Sequence, residues 1–182
     1  MLDIGSSALA RCTSIAPPFD EQSEVTVEKG LPDLYEHQSN AVQAWFDNDC
    51  RGIFDMCTGS GKTITSLACL RQLSETKKGP EVYLITVPTR VLADQWCSVL
   101  SATGFSFPIK SYNSFKNYAN DLTNRLDFSS SSDPLIIVST YRSFTDKRIQ
   151  NLFDNAHSKQ GKRCCWVADE AHNLAPRRTL SI

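Results

Sequence analysis

The sequence predicts an α/β fold in which a mostly parallel sheet carries helices on both faces. Apolar runs of strand length, such as residues 82–87 and 135–138, alternate with segments whose apolar residues recur at helical spacing. Within the runs the apolar residues are continuous, which is typical of strands that are buried on both faces of a parallel sheet. With 182 residues, the chain is long enough for one compact domain and a short tail, but not for two full domains.

The first 33 residues differ from the rest of the chain. They are polar, are interrupted by Pro17, Pro18 and Gly30, and contain one short alternating run, residues 24–27, that could form an isolated strand. We therefore interpret residues 1–33 as a leader or an upstream extension, and residues 34–182 as the α/β domain.

Local signals place each later element. Apolar residues at helical spacing, with Pro88 and Gly104 marking the start and stop of the third helix, predict helices at 42–46, 63–73, 88–104, 115–126 and through 149–153. Apolar runs predict strands at 52–56, 82–87, 135–138 and 164–168, with a weaker one near 107–111.

Composition and charge exclude several classes of protein. Lys and Arg number 19 against 20 Asp and Glu, so the net charge is −1 and no overall basic footprint indicates a nucleic-acid partner. We interpret the four basic pairs at 77–78, 147–148, 162–163 and 177–178 as solvated loops or helix ends. No apolar run reaches the roughly 18–20 residues that span a bilayer, and no basic residue precedes Arg11 to make a secretory signal. We expect a cytoplasmic protein, with the nucleoid or nucleus also open, and no membrane partner.

The cysteines indicate a reducing compartment. There are seven, none in a C-x-x-C pair, and the three histidines do not complete a zinc spacing. We expect reduced thiols, with Cys164 and Cys165 inside the core because they lie in an apolar run.

A candidate phosphate-binding loop follows the predicted strand at 52–56 and precedes a predicted helix. Its glycine-rich turn would let backbone N–H groups converge on phosphate oxygens, and the helix N-terminus adds partial positive charge. Lys62 would contact the β- and γ-phosphates, and the Thr63 hydroxyl would ligate Mg²⁺. The general pattern is incomplete, since Met56 stands at the position of its first glycine, and a chance surface turn is the alternative. The candidate nucleotide-binding residues are Thr58, Gly59, Ser60, Gly61, Lys62 and Thr63.

A second candidate motif, Ala168-Asp169-Glu170-Ala171-His172, follows the predicted strand at 164–168. Acids at the carboxyl end of a buried strand lie at the rim where parallel sheets bind ligands. Asp169 is placed to hold Mg²⁺, and Glu170 to orient an attacking water. The alternative is a pair of acids at a helix N-terminus; the presence of a phosphate loop in the same chain favours the first interpretation.

These motifs together resemble superfamily 2 helicases and translocases, in the group whose second motif reads Asp-Glu-Ala-His. The resemblance covers the chain from Leu34 onward, and residues 56–63 resemble the first motif of the restriction-subunit-like branch, with Cys57 in place of a small alanine. It implies a RecA-like P-loop NTPase domain that uses ATP and Mg²⁺. It also implies roles in catalysis for Lys62 and Glu170, and for His172 a relay from the nucleotide; by itself His172 could equally be a helix-start histidine.

The same resemblance extends to the segment before the loop. Residues 34–38 look like the adenine-reading segment of the family, in which the amide of Gln38 would pair with adenine N6 and N7. His37 would lie against the base. The alternative for Gln38 is an exposed residue on an amphipathic helix.

Two further segments resemble motifs that contact the nucleic-acid backbone in the family. Thr89 and Arg90 follow Pro88 as in motif Ia, and such contacts carry no base preference. Thr140 lies in a segment, 139–142, that resembles a later backbone-contacting motif more weakly. For Thr89 and Arg90, the alternative is a simple helix start that Thr89 caps. DNA is preferred over RNA only because residues 56–63 resemble the first motif of the restriction-subunit-like branch.

Other parts of the family pattern are missing. Residues 101–103 read Ser-Ala-Thr like motif III, but they precede Asp169 and are interpreted as a decoy. The residues after His172 are too few for motif III or for a second RecA-like domain, which supplies the arginine fingers in the family. We therefore expect an incomplete domain, either the N-terminal part of a longer protein or a truncated product, that by itself turns over slowly or not at all. Omitting the motif III strand would leave a gap in the sheet.

The sequence thus predicts the ATP-binding half of a nucleic-acid-dependent ATPase, a DNA helicase or translocase by family, that works with a second RecA-like domain. One alternative is a truncated module that binds a nucleotide or a partner without turnover. Another is a small-molecule kinase, against which the motif at 88–90 and the Asp-Glu-Ala-His spelling argue.

Overall fold

A computed structural model describes residues 30–76, 79–158 and 160–174. The predicted strand at 24–27, most of the proposed leader and the basic pairs at 77–78 and 177–178 lie outside these residues. The chain divides into two compact units between Gln72 and Leu73, and each is described by itself.

The described residues of the first unit form two helices and the loop between them. Helix α1 covers Glu36–Asp47, and α2 begins at Lys62 and continues to Ser74, across the division between the units. The strand predicted at 52–56 is wrong: these residues form no regular structure, and Ile53 is 79% exposed. A strand needs hydrogen bonds from a neighbour, and the described residues of this unit contain no strand for it to pair with. Gly52 and Asp55 also interrupt the apolar run, which weakens its preference for a strand.

The second unit is an α/β sheet structure, as predicted. Its described residues form four strands, all parallel, in the order β2-β3-β1-β4. The strands are β1 (Val82–Val87), β2 (Ile109–Lys110), β3 (Leu135–Thr140) and β4 (Cys164–Ala168). The helices between them are α3 (Arg90–Ala102), α4 (Phe115–Phe128), α5 (Tyr141–Phe144) and α6 (Lys147–Ser158), and a short 3₁₀ helix, Ala171–Leu174, follows β4.

The centre of this sheet is the most buried part of the unit. Every residue of β1 and β3 is buried, and the strands pair in register from Val82 beside Leu135 to Val87 beside Thr140. Helix α4 covers this core with Leu122, which is 1% exposed, and with Leu126. Continuous burial explains why the sequence of these strands is apolar at every position rather than at every second one. The register also brings the carboxyl ends of β1 and β3 to one edge of the sheet, where the polar candidate residues follow.

Strand β4 is an edge strand of the described sheet. It pairs with β1 on one side, and its other side forms no ladder with any described strand. Its residues are only partly buried, and Trp166 is 53% exposed. The prediction that Cys164 and Cys165 lie in the core is therefore wrong: Cys164 is exposed and Cys165 half-buried. An apolar run indicates that a strand can be buried, but not that both of its faces and edges have neighbours.

Candidate functional site

The phosphate loop is a tight turn that leads directly into α2. Gly59 and Gly61 have φ values of +82° and +84°, in the left-handed region that glycine adopts without steric cost. The turn is closed between them, because both the backbone N–H and the hydroxyl of Ser60 donate to the carbonyl of Cys57, at 3.2 and 2.7 Å. The loop therefore has the glycine geometry that the motif predicts, although residues 52–56, directly before it, form no strand.

The side chains of the loop differ in their contacts and exposure. The Lys62 ammonium donates to the carbonyl of Met56 at 3.1 Å and lies 3.5 Å from that of Cys57, so it folds back over the loop. Thr63, in the first turn of α2, makes no hydrogen bond with its hydroxyl among the described residues. Thr58 and Gly59 are exposed. Backbone N–H groups at a helix N-terminus, a lysine ammonium and an unengaged hydroxyl together can bind a phosphate and its metal ion.

Gln38 is held against the loop. It is 3% exposed, its Oε1 accepts from the backbone N–H of Tyr35 at 2.9 Å, and its Nε2 donates to the carbonyl of Ser60 at 3.2 Å. The alternative of an exposed residue on α1 is wrong. The same Nε2 also lies 3.5 Å from the carbonyl of Gly61, so both of its N–H groups face the loop and one lone pair of Oε1 remains open. His37 also bonds to the Ser60 carbonyl, at 3.1 Å, and must donate there because a carbonyl only accepts.

The close approach of Gln38 to the loop gives a prediction for two glycines. A Cβ at Gly61 would lie 2.2 Å from Gln38 Nε2, whereas one at Gly59 would meet nothing within 4 Å. Both residues have positive φ, so alanine strains either backbone, by about 1–2 kcal/mol. We expect Gly61→Ala to lower the thermal unfolding midpoint and the affinity for ATP more than Gly59→Ala, because only the former displaces Gln38. Equal effects of the two substitutions, measured by calorimetry and nucleotide titration, would contradict this contact.

In the second unit, Asp169 is fixed by three hydrogen bonds at the carboxyl end of β4. Its Oδ2 accepts from the indole N–H of Trp96 at 2.8 Å, its backbone N–H donates to Thr86 at 2.9 Å, and its carbonyl accepts from the hydroxyl of Tyr141. Burial, and then the nearby charge of Asp169, raises the pKa of Tyr141 to about 12, so this phenol keeps its proton at neutral pH. The other carboxylate oxygen, Oδ1, has no hydrogen bond among the described residues.

Glu170 has a different orientation and different partners. Its φ is +53°, which few residues other than glycine adopt, and its carbonyl accepts from the backbone and side-chain N–H groups of Asn173. Its carboxylate lies 3.4 Å from Nδ1 of His172. Asn173 donates to the other ring nitrogen of His172 at 3.1 Å, which leaves the neutral ring's proton on the side of Glu170. Within the part of the chain described, which ends at residue 174, no α-helix starts at the two acids, and a short 3₁₀ helix follows them.

The threonines of the two predicted backbone-contacting segments cap helices. The Thr89 hydroxyl accepts from the N–H of Leu92 at 3.3 Å, and the Thr140 hydroxyl from that of Ser143 at 3.2 Å. The helix-start interpretation of Thr89 is therefore correct for its side chain. Its neighbour Arg90 is exposed and has no ion pair among the described residues.

A cleft of about 690 Å³ lies at the carboxyl ends of β1, β2 and β3. Arg90 from α3, Thr140 at the end of β3 and Arg142 from α5 line it, and the residues after β2 form another wall. Arg142 is exposed and, like Arg90, has no carboxylate partner among the described residues. Two unpaired guanidinium groups in a cleft can bind phosphate groups.

Two other basic residues near this cleft are already paired. Arg148 binds the carboxylate of Asp146 through three hydrogen bonds of 2.6–3.2 Å and lies 4.4 Å above the ring of Phe115. These bonds lower the pKa of Asp146 to about 2. Lys110 pairs with Asp94, which also accepts from Tyr112 at 2.6 Å. Arg90 and Arg142 are therefore the basic side chains of the cleft wall that remain open to a ligand.

Sequence reasoning missed the partners of Asp169. In the sequence, Trp96 is one of the apolar residues in the helix predicted at 88–104, and Tyr141 lies in the segment 139–142. A buried tryptophan usually donates its indole N–H to an acceptor. The position of Trp96 in the helix after a buried strand was therefore the signal that it has a polar partner.

The described residues contain no cluster of three or more histidine, cysteine, aspartate or glutamate side chains that could hold a metal ion. None of their helices combines the length and apolar character needed to cross a bilayer.

A comparison with protein families matches most of the chain to one family. The family described as "Type III restriction enzyme, res subunit" matches residues 31–180, which include the phosphate loop, the cleft and Asp169. A search of curated proteins gives no match. The four-stranded parallel sheet is consistent with the RecA-like fold of that family, whose members are ATP-binding, helicase-like modules. On the extent of this match, the chain belongs to the family of type III restriction enzyme res subunits.

Proposed function

We propose that this chain is the ATP-binding lobe of a nucleic-acid-dependent ATPase of the helicase or translocase type, with DNA as the preferred nucleic acid. The observation that carries the proposal is the phosphate loop. It holds Gly59 and Gly61 in the left-handed region and presents Lys62 and Thr63 at the start of α2. Membership in the res-subunit family supports the same conclusion.

The nucleotide would be held mainly by the loop. In this proposal the N–H groups of Thr58–Thr63 surround the phosphates, Lys62 leaves the Met56 carbonyl to bind the β- and γ-phosphates, and Gln38 contacts adenine. Mg²⁺, when bound, neutralises charge on the phosphate oxygens; the Thr63 hydroxyl and the Asp169 carboxylate would be its protein ligands. Magnesium commonly binds through one or two protein oxygens together with substrate phosphates, which is the donor set proposed here.

Glu170 and His172, which follow Asp169 in the sequence, would take part in ATP hydrolysis. Glu170 would accept a proton from the attacking water and hold it in line, as the family's second motif implies. The contact between Glu170 and His172 supports a role for His172 in orienting that carboxylate and in relaying the state of the nucleotide. Glu170 and Asp169 have separate partners, so the metal ligand and the proton acceptor can be tested independently.

The cleft would bind the sugar–phosphate backbone. Arg90 and Arg142 carry the charge, and the N-termini of α3 and α5, capped by Thr89 and Thr140, lie next to them. Contacts of this kind bind phosphate without reading bases. They fit a protein that moves along nucleic acid of any sequence.

A second RecA-like domain, from a longer chain or from a partner, would complete the ATPase. It would supply arginine side chains to the γ-phosphate, which in phosphoryl-transfer enzymes raise turnover by about 10³–10⁵. Without it we expect slow turnover. The outer side of β4 pairs with no described strand, which is compatible with further sheet on that side.

The nucleic-acid part of the proposal is tested by removing each cleft arginine. We expect Arg90→Ala and Arg142→Ala each to weaken binding of oligothymidylate about fivefold and to reduce the salt dependence by about 0.7 in log–log slope, the value for one lost phosphate contact on a single strand. The control is Arg163→Ala, which removes the same charge before β4, at the amino end of the sheet, where the guanidinium lies 3.5 Å from the carboxylate of Glu81.

Fluorescence anisotropy over a salt series measures both quantities. If all three substitutions weaken binding equally, the cleft is not the nucleic-acid site. If ATP binds but is not hydrolysed even with excess nucleic acid and prolonged incubation, the alternative of a binding module without turnover is favoured.

A further inference from the structure

Two side chains outside the catalytic motifs hold Asp169. Trp96 donates to its Oδ2 at 2.8 Å, and Tyr141 donates to its carbonyl oxygen. Trp96 is 3% exposed and lies on α3, whereas Tyr141 begins α5. Both of these helices start at the cleft, at Arg90 and directly after Thr140.

The indole bond determines which oxygen of Asp169 is available. Because Oδ2 is occupied by the Trp96 N–H, the carboxylate cannot rotate freely, and Oδ1 is left without a hydrogen bond among the described residues. A carboxylate with one fixed and one open oxygen is a preorganised monodentate ligand for a hard cation such as Mg²⁺.

We propose that Trp96 is a positioning residue for the metal ligand Asp169, and that α3 thereby links nucleic-acid binding at Arg90 to metal binding at Asp169. The proposal rests on the function given above, since it takes Asp169 as a ligand of Mg²⁺. Trp96 lies six residues after Arg90, about 9 Å along a helix that rises 1.5 Å per residue. A shift of α3 caused by a bound backbone phosphate would therefore move the indole N–H that orients the carboxylate.

A second tryptophan of the same unit gives a matched control. The indole N–H of Trp166 donates at 2.8 Å to the hydroxyl of Thr86, so it makes a bond of the same length and type but does not touch Asp169. Replacing either tryptophan by phenylalanine removes one indole donor and keeps an aromatic ring. Trp96 is 3% exposed and Trp166 is 53% exposed, so the pair controls for the loss of an indole donor and not for burial. An effect of losing an indole donor would appear in both variants, and an effect on the Asp169 carboxylate only in Trp96→Phe.

The first experiment tests the bond without any nucleotide. In the full chain labelled with ¹⁵N-tryptophan, Asp169→Asn should shift the indole N–H resonance of Trp96 and leave that of Trp166 unchanged. If neither resonance moves, the bond between Trp96 and Asp169 does not exist in solution and the inference is wrong, whatever the function of the chain.

The second experiment measures Mn²⁺ affinity by electron paramagnetic resonance with saturating ATP, so no turnover is needed. We expect Trp96→Phe to weaken Mn²⁺ binding about tenfold, the usual cost of removing a partner of a metal ligand, and Trp166→Phe to change it less than twofold. We also expect oligothymidylate to change the Mn²⁺ affinity of the parent chain and to have less effect on Trp96→Phe.

Each outcome has a distinct meaning. If Asp169→Asn weakens Mn²⁺ binding but Trp96→Phe does not, the positioning role is wrong and the proposed function stands. If Asp169→Asn has no effect, the metal role of Asp169 in the proposed function fails. If both tryptophan variants weaken binding equally, the effect is general destabilisation, and if oligothymidylate has no effect on the parent chain, the link through α3 is wrong.

Discussion

Replacing Lys62 by alanine is expected to weaken ATP binding by at least about a hundredfold, equivalent to about 2.7 kcal/mol. The ammonium would bind oxygens of two phosphates, and each hydrogen bond to a charged group is worth about 1.5–3 kcal/mol. In the described structure the only partners of this ammonium are carbonyls of its own loop, at 3.1 and 3.5 Å. Losing them costs little stability, so the effect should fall on binding. Isothermal titration with Mg²⁺-ATP measures it.

The control for this substitution is Arg51→Ala. Arg51 is an exposed cation shortly before the loop, so its loss removes the same charge without removing a phosphate ligand. We expect its ATP affinity to stay within about threefold of the parent, because exposed charges contribute only about 0–1 kcal/mol. Similar affinities in Lys62→Ala and the parent chain would mean that the loop does not bind the β- and γ-phosphates.

Glu170→Gln is expected to preserve ATP binding and to lower the rate of hydrolysis by a factor of about 10²–10⁴, the usual contribution of a positioned general base. Glutamine has the same shape and can keep the left-handed backbone and the two bonds to Asn173, but it cannot accept the proton of the attacking water. Single-turnover phosphate release, with protein in excess over ATP, measures the slow rates expected of one lobe.

The control is Glu75→Gln, which removes an exposed carboxylate just after α2. Its rate of hydrolysis should equal that of the parent. Hydrolysis by Glu170→Gln at the parent rate would overturn the role given to this carboxylate. Loss of ATP binding in the same variant would instead indicate that Glu170 supports the nucleotide site structurally.

Much of the fold could be predicted because the pattern and the environment agree. Strand β1 occupies the predicted 82–87, and β4 the predicted 164–168. The weaker strand near 107–111 is reduced to Ile109–Lys110, and the helix predicted at 115–126 is two residues longer. In each case the local sequence determines the type of element, and for a strand the pairing partners determine its length.

The errors have a common physical cause. Residues 52–56 and Cys164 were both assigned from apolar runs, yet the first forms no strand and the second is exposed. An apolar run indicates the preference of its own side chains, but a strand also needs a hydrogen-bonded neighbour, and its burial needs neighbours on its faces and edges. Such neighbours are distant in sequence and leave no local signal.

The candidate site also contains some features that the sequence predicts and others that it does not. The turn at Gly59 and Gly61 could be predicted, because positive φ requires glycine at those positions. The hydrogen bond from the Trp96 indole to Asp169 could not be predicted, because it joins residues that are 73 positions apart in the sequence. The cleft at Arg90 and Arg142 was only half predicted: the motifs identified the segments, and the register of β1 and β3 brings them together.

We propose that one ATP-bound metal ion is shared by the phosphate loop and Asp169, and the proposed function depends on this more than on any other contact. The most direct test is an ¹⁵N-resolved spectrum of the full chain with Mn²⁺-ATP, in which the paramagnetic ion broadens the signals of nearby amides. We predict that the amides of Gly61 and Asp169 are both broadened, and that both recover when Lys62→Ala prevents binding. Broadening of Gly61 alone, with Asp169 unaffected, would contradict the account.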